Sequence, residues 1–249
     1  MNKNKLLESI FYPRKSGIQQ DSNDIIIPTS NNDKVSVRTF LANRNNPTIL
    51  YFHGNAELAQ EYDSIAEYYH KYNINLIVAD FRGYGLSTGI PTRDNLHHDS
   101  QVIFNFVKEH LYAIDFNSTL YIMGRSLGSA SAFEIVSKNQ NSIAGCIIES
   151  GFVTEYPLLN LLNINTEEVD FNLDDGFMNL SKLRTYTGKL LIIHADLDDI
   201  VPFSQAELML IESPSKEKDL FKVSGAGHNT ILMIAREVYF TKINEFINK

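Results

Sequence analysis

The stretch that decides the fold is LYIMGRSLGSASAFEIV, residues 120–136. Its apolar start, residues 120–123, favours a buried strand, and the small residues of 129–136 are compatible with a helix. Between them stands the Gly-x-Ser-x-Gly sequence of residues 124–128. At such a turn the serine is held out of the sheet in a strained backbone conformation, and the glycines let strand and helix approach closely. Ser126 is therefore a candidate nucleophile, which needs a base and an oxyanion site.

Apolar runs alternate with helical patterns along most of the chain. A hairpin is predicted first, with strands at Asp24–Pro28 and Lys34–Leu41 around turn residues 30–33. Further strands are expected at Thr48–Phe52, Asn75–Ala79, Ser118–Met123, Ile143–Ile148, Leu190–His194 and Asp219–Val223, and helices at about 57–71, 92–111, 203–211 and 229–247, besides the one after Ser126. The alternation predicts an α/β fold, with a mostly parallel sheet, helices on both faces and an antiparallel hairpin at one edge.

Two segments stand outside this alternation. Residues 1–23 have little periodicity and are expected to form a short helix and an arm. Residues 151–187 mix polar and apolar positions between two core strands, and we expect a small cap insertion over the site, within one domain that spans residues 1–249. Apolar residues of the insertion belong either to the core or to the wall of a pocket. They are Phe152, Tyr156, Leu158, Leu159, Leu161 and Leu162.

Loops at the carboxyl ends of the strands are where a site is expected in such a sheet. After the strand that ends at Phe52 comes His53-Gly54-Asn55, in which Gly54 permits a tight turn that leaves backbone N–H groups free. A nucleophilic serine needs two such donors to hold the negative oxygen of a tetrahedral intermediate. The expected oxyanion donors are the backbone N–H groups of Asn55 and Leu127.

A base and an acid are available in two later loops. His228 lies in a glycine-flanked loop after the last strand and is the candidate general base. Three carboxylates, those of Asp196, Asp198 and Asp199, follow the preceding strand, and spacing alone does not choose which of them orients the histidine. Glu149, at the end of its own strand, is a rival acid. The order Ser, Asp, His along the chain is that of the α/β-hydrolase fold.

The chain resembles an α/β-hydrolase over nearly its whole length from about residue 24. Three motifs carry the resemblance: His-Gly-Asn at 53–55, Gly-Arg-Ser-Leu-Gly at 124–128, and the loops of Asp198 and His228. Residues 80–87, DFRGYGLS, are similar to the Asp-x-Arg-Gly-Tyr-Gly-x-Ser pattern of the ABHD13/ABHD17-like (Bem46-like) branch. In that family the Asp of an Asp-x-x-Val-Pro pattern is the triad acid, which implies Asp198. Ala195 departs from the family, which usually has glycine there.

The resemblance implies a serine hydrolase, carboxylesterase-like or thioesterase-like, that cleaves an ester or thioester through an acyl-enzyme on Ser126. Asp198 and His228 complete its triad, and the backbone N–H groups of Asn55 and Leu127 form the oxyanion hole. The acyl pocket is expected from Phe152, Tyr156, Leu158, Leu159 and Leu162. Palmitoyl-cysteine and peptide substrates stay within the family's range. The alternatives are a peptidase or acyltransferase that uses the same triad, and a non-catalytic binding protein on this fold.

Composition bears on partners and location. The net charge of -8 over 249 residues argues against nucleic-acid binding, which needs a basic footprint. No apolar run approaches a bilayer span and no signal peptide is evident, so we expect a cytoplasmic enzyme without stable membrane insertion. A small-molecule acyl ester or thioester is the expected partner, and no metal or organic cofactor is required. His97-His98-Asp99 point to different faces of a helix and are expected on a solvated face, with no shared metal.

Overall fold

The structure is a computed structural model that describes residues 3–249, so the expectations for residues 1 and 2 lie outside it. Within the described residues the strands are β1 (Asp24–Pro28), β2 (Lys34–Phe40), β3 (Thr48–Phe52), β4 (Asn75–Ala79), β5 (Leu120–Arg125), β6 (Gly145–Glu149), β7 (Leu190–Ala195) and β8 (Lys218–Val223). They form one sheet in the order β1-β2-β4-β3-β5-β6-β7-β8. Strand β2 is antiparallel to both of its neighbours, and the pairs from β4 to β8 are parallel.

Helices cover both faces of this sheet. They are α1 (Lys3–Glu8), α2 (Asp63–Lys71), α3 (Arg93–Ala113), α4 (Gly128–Asn139), α5 (Tyr156–Leu161), α6 (Asn179–Leu183), α7 (Ser204–Glu212) and α8 (Ile231–Asn248). Helices α2 and α8 pack on one face, where Tyr69 and Phe240 are buried, and the others pack on the opposite face around Phe133. Successive strand residues such as Leu50 and Tyr51 enter opposite cores, as the pleat requires. The predicted α/β fold is confirmed.

None of the helices within residues 3–249 is long and apolar enough to cross a membrane. The predicted bounds of β1, β3 and β4 match the structure, and other elements shift by a few residues at their ends. The largest difference is at residues 57–71, where Ala59–Tyr62 forms a 3₁₀ turn before α2. The Asp80 carboxylate accepts the N–H of Ala59 over 2.9 Å and so fixes this turn outside the α-helix.

The carboxyl ends of the central strands meet at one edge. Phe52 of β3 is opposite Gly124 of β5, and Arg125 of β5 is opposite Glu149 of β6. Strand β5 therefore continues two residues beyond its predicted end at Met123 and delivers the Gly-x-Ser-x-Gly turn to this edge. The loops after β3, β7 and β8 reach the same edge, because all these strands are parallel.

Candidate active site

The turn between β5 and α4 holds Ser126 in the left-handed backbone region, at φ 50°. This conformation is strained for a residue with a side chain and persists only where its surroundings hold it. The N–H of Ser126 donates to the carbonyl oxygen of Glu149 over 2.9 Å. A β-carbon at Gly128 would overlap the carbonyl oxygen of Phe52, and one at Gly124 would overlap that of Gly128. Both glycines are therefore needed for the close approach of strand and helix.

His228 lies between Ser126 and Asp198. Its Nε2 is 3.0 Å from the Ser126 hydroxyl oxygen, and its Nδ1 is 2.8 Å from Oδ2 of Asp198. All three residues are buried. When Nδ1–H donates to the carboxylate, Nε2 is left as an acceptor for the serine proton, which is the tautomer that a general base needs. The structure thus brings together the three residues that the sequence pointed to.

The other candidate acids do not contact the imidazole. Arg125 lies 3.3 Å from Oε1 of Glu149, and the hydroxyl of Tyr239 donates to Oε2 over 2.6 Å, so both oxygens of the rival acid are engaged elsewhere. Asp196 accepts a backbone N–H of the histidine loop over 2.7 Å, and Asp199 is exposed. Of the four candidate acids, Asp198 is the one whose carboxylate contacts the imidazole of His228.

Asp198 is fixed by its own loop as well as by His228. Its Oδ1 accepts the N–H groups of Ile200 and Val201, over 3.0 and 2.7 Å. Burial alone would raise the pKa of Asp198, but the hydrogen bond and charge of His228 and the Val201 N–H hold this pKa below its usual range. The buried His194 donates from Nε2 to the carbonyl oxygen of Val201 over 2.8 Å, which braces the loop. A carboxylate held in this way stays ionised at neutral pH and can stabilise an imidazolium.

Two backbone N–H groups stand free beside the serine. Those of Asn55 and Leu127 belong to residues that line the cavity in front of Ser126. Neither donates a hydrogen bond to another group within residues 3–249. Leu127 directly precedes α4, so its N–H lies at the positive, N-terminal end of the dipole of this helix. Paired free donors at one cavity are what stabilises the oxyanion of a tetrahedral intermediate.

The loop that begins with His53-Gly54-Asn55 after β3 is called the oxyanion loop below. An N-terminal arm, residues 9–23, crosses this loop, a contact that the sequence did not predict. The Oδ1 atom of Asn55 accepts the N–H of Tyr12 over 3.0 Å and the hydroxyl of Tyr84 over 2.6 Å. The Nδ2 atom of Asn55 donates to the carbonyl oxygen of Ile10 over 2.6 Å. The side chain of Asn55 is thus fixed by the arm and by Tyr84, while its backbone N–H remains free. The one sequence signal for this contact is Tyr84, within the motif of residues 80–87.

Another residue of the motif at 80–87, Arg82, makes buried contacts with helix α3. The side chain of Arg82 is 1% exposed and forms an ion pair with Asp99 at 2.6 Å. The expectation that His97-His98-Asp99 is a solvated face is therefore wrong for Asp99, and His97 is half-buried with Lys182 Nζ 2.8 Å from its Nε2. Burial, followed by the charge of Lys182, lowers the pKa of His97 to about 4. The buried guanidinium of Arg82 requires an anionic partner, which Asp99 on α3 provides, and the helical pattern of the sequence gave no sign of this pairing.

A cavity of about 420 Å³ opens in front of Ser126. Its apolar wall is formed by the arm, the insertion and the Asp198 loop, through Ile10, Tyr12, Leu158, Leu161, Leu162 and Ile200. Of the expected pocket residues, Leu158 and Leu162 therefore line the cavity. Phe152 and Leu159 instead lie fully buried in the core, and Tyr156 packs against Phe171. The helical period explains the split, because positions 158 and 161 share one face of α5 with position 162 directly after it, and position 159 lies on another face.

Comparison with known sequences reaches the same group of proteins. The family profile described as "Serine aminopeptidase, S33" matches residues 43–165, which include the serine but neither the acid nor the base. Protein bem46 of Schizosaccharomyces pombe (strain 972 / ATCC 24843) is 27% identical over 229 residues, which are 86% of this chain and 73% of that protein. The human alpha/beta hydrolase domain-containing protein 17C is 28% identical over 203 residues, 81% of this chain but 58% of that protein. This chain thus spans less than two thirds of the latter relative.

Solved structures share the fold at low sequence identity. The esterase Pf2001 of Pyrococcus furiosus superimposes with a TM-score of 0.77 and 18% identity, over 95% of this chain and 98% of that one. Est1E of Butyrivibrio proteoclasticus, with ferulic acid bound, gives a TM-score of 0.73 and 17% identity, over 90% of this chain and all of the other. These similarities establish the architecture, and the chemistry must be argued from the site.

Proposed function

Because this chain is an α/β-hydrolase of the Bem46-like branch, we propose that it is a serine hydrolase that cleaves a carboxylic ester or thioester. The observation that supports this most is the buried series of hydrogen bonds from Ser126 through His228 to Asp198. A serine hydroxyl is a weak nucleophile, and this arrangement supplies the base that activates it. The free N–H groups beside it supply the second requirement of acyl transfer.

The reaction proceeds in two halves. Nε2 of His228 takes the proton of Ser126 as its oxygen attacks the acyl carbon, and the carbonyl oxygen becomes an oxyanion held by the N–H groups of Asn55 and Leu127. The imidazolium, stabilised by Asp198, gives its proton to the leaving alcohol or thiol, and the acyl-enzyme remains. Water then attacks the acyl-enzyme while His228 takes its proton. As the second intermediate collapses, His228 gives that proton to the departing oxygen of Ser126, which releases the acid and restores the serine hydroxyl.

The cavity favours an acyl group of small to medium size. Its volume of about 420 Å³ lies toward the lower end of the usual range for ligand sites, roughly 300–1,000 Å³. Its wall is mostly aliphatic, so we assign the acyl chain to the face of Leu158 and Leu162. Among esters with acyl chains of two to sixteen carbons, kcat/KM should be highest in the shorter half of the range. A Leu158→Phe variant should lower kcat/KM for the longer esters and spare the shortest.

An aminopeptidase is the second candidate, since the matching family carries that description. Such an enzyme must bind the free α-ammonium of a peptide, which calls for a carboxylate at the cavity. Among the described residues that line the cavity, none carries a carboxylate side chain. Asp198 is buried behind the imidazole and is already paired with it. Ester and thioester substrates are therefore favoured, and aminoacyl anilides should be poor substrates.

A fluorophosphonate probe tests the proposal directly. The wild-type protein should be labelled at Ser126, as read by peptide mass spectrometry, and should hydrolyse short acyl esters. Ser126→Ala should lose both properties while keeping its thermal unfolding midpoint. Absence of labelling and of turnover in the folded wild type would reject the proposal and favour the non-catalytic binding protein. Labelling at another residue would reject the assignment of the nucleophile.

A further inference from the structure

Arg125, the residue before the nucleophile, makes contacts that the reaction scheme does not use. Its guanidinium is largely buried, with 11% of the side chain exposed. It forms ion pairs with Glu57 and with Glu149, the latter at 3.3 Å. It also donates from Nη2 to the carbonyl oxygen of His228 over 2.9 Å and to Oδ1 of Asn229 over 2.8 Å. One side chain therefore joins the loops after β3 and β8 to the last residue of β6.

On one side, Arg125 fixes the oxyanion loop through Glu57. The second oxygen of Glu57 accepts the N–H of Gly54 over 3.1 Å and the hydroxyl of Tyr62 over 2.5 Å. Gly54 directly precedes Asn55, the proposed oxyanion donor. A β-carbon at Gly54 would overlap both Nη1 of Arg125 and Oε1 of Glu57. The glycine of the His-Gly-Asn motif thus leaves room for this ion pair.

On the other side, Arg125 holds the backbone of the base itself. Its bond to the carbonyl oxygen of His228 and its bond to Asn229 fix two consecutive residues of the histidine loop. The loop reaches its site from β8 through Gly225 and Gly227, and glycine restrains a backbone weakly. Contacts with neighbouring groups restrain the loop, through Asp196 at Gly225 and through the guanidinium at His228 and Asn229.

The charges make Arg125 hard to replace. Glu149 is 3% exposed, and its other oxygen is bound by Tyr239. Without the guanidinium, Glu57 and Glu149 would be two carboxylates near each other with no cation between them, an arrangement that is strongly disfavoured in a partly buried site. Removal of Arg125 would therefore drive the loops apart.

We propose that Arg125 is a positioning residue that sets the distance between the oxyanion donor Asn55 and the base His228. The inference rests on the proposed serine hydrolase function. Arg125 acts through Glu57 and through the histidine loop, so its loss should lower kcat and leave KM nearly unchanged. Its fork of donors matters as well as its charge, because a lysine ammonium cannot span partners on two loops and on the end of β6.

The test compares Arg125→Ala, Arg125→Lys and Glu57→Gln with the wild type, by steady-state hydrolysis of a short acyl ester. Arg38→Ala is the matched control, because Arg38 is also largely buried and paired with Asp21, Asp24 and Asp63, but lies on β2, three strands away from β5. Arg125→Ala should lower kcat about 10²-fold with KM within about threefold, the cost of displaced catalytic groups. Arg125→Lys should recover at most about tenfold of that loss. Arg38→Ala should lower the unfolding midpoint and keep kcat in the folded fraction.

A double-mutant cycle separates positioning from general destabilisation. If Arg125 acts on the oxyanion loop through Glu57, the double variant Arg125→Ala/Glu57→Gln should lose less than the product of the two single losses. A folded Arg125→Ala with kcat within threefold of the wild type would overturn the inference. So would full rescue by Arg125→Lys, which would assign the effect to charge alone, or multiplicative losses in the cycle. A wild type that neither hydrolyses esters nor labels at Ser126 would instead fail the proposed function, and the inference with it.

Discussion

The hydroxyl of Tyr84 donates a 2.6 Å hydrogen bond to Oδ1 of Asn55 and accepts the N–H of Tyr12 over 2.9 Å. One phenol therefore joins the motif of residues 80–87, the oxyanion loop and the N-terminal arm. Tyr84 is fully buried, so each of these bonds replaces one that water would otherwise make. The tyrosine of the motif thus has a part in placing the oxyanion donor.

Tyr84→Phe should lower both stability and turnover. Loss of the hydroxyl removes one hydrogen bond from the amide oxygen of Asn55 and one from the N–H of Tyr12, which still bond to each other, and should cost about 1 kcal/mol of unfolding free energy. Displacement of Asn55 should lower kcat about tenfold. Tyr121→Phe is the control, because its hydroxyl also makes a buried bond, to the carbonyl oxygen of Ile247 at 2.9 Å, away from the cavity. Equal kcat in the two variants would contradict the role given to Tyr84.

Asp198→Asn should lower kcat far more than Glu149→Gln. The amide keeps the shape of Asp198 but favours the wrong imidazole tautomer, a change that costs about 10³–10⁴-fold in a serine triad. Glu149→Gln keeps one acceptor oxygen of the two that Arg125 and Tyr239 use, does not touch the imidazole, and should cost less than about tenfold. Measurement of kcat for ester hydrolysis by the two variants tests which carboxylate is the triad acid. A larger loss in Glu149→Gln would restore Glu149 as the acid.

Glu155→Gln should stabilise the protein at neutral and alkaline pH. Glu155 is 1% exposed, and burial raises its pKa from 4.5 to about 7, while its Oε1 accepts the N–H of Phe177 over 2.6 Å. The carboxyl proton of Glu155 is therefore held more tightly in the folded wild type than in the unfolded chain. The wild type accordingly loses stability as pH rises from 4.5 to 7. The glutamine keeps an acceptor and cannot ionise.

The advantage of Glu155→Gln should accordingly grow through that pH interval to about 3 kcal/mol and stay constant above it. Urea unfolding of both proteins at pH 4.5, 6 and 8 measures the difference. A stability difference that does not change between pH 4.5 and 8 would show that Glu155 does not titrate in this range.

Gly128→Ala should destabilise the protein, whereas Gly227→Ala should not. The added methyl group at position 128 overlaps the carbonyl oxygen of Phe52, and the strand and helix must separate to admit it, at about 2–3 kcal/mol. At Gly227 the nearest atom to a new β-carbon is 3.7 Å away, so the change should stay within about 0.5 kcal/mol. Thermal unfolding of the two variants tests this contrast, and equal midpoints would refute it.

The sequence predicted the sheet well, because a parallel strand buried on both faces is an uninterrupted apolar run that can be read locally. The residues placed at the carboxyl edge followed from the same pattern, and so did the glycines around Ser126. The contact of the arm with Asn55 could not be predicted, since Tyr12 meets Asn55 across 43 residues with no periodic signal. The ion-pair partners of Arg82 and Arg125 could not be predicted either, because a buried guanidinium pairs with carboxylates that are near in space and remote in sequence.

Along helix α5, cavity contact and structural anchoring fall on adjacent residues. Leu158 lines the cavity, whereas Leu159 is fully buried in the core. A library restricted to the cavity-facing positions could therefore resample acyl selectivity without removing an anchor. In evolutionary terms, substitutions at Leu158 and Leu161 can change the substrate range without touching the triad, whereas the arm, which also holds Asn55, is less free to vary.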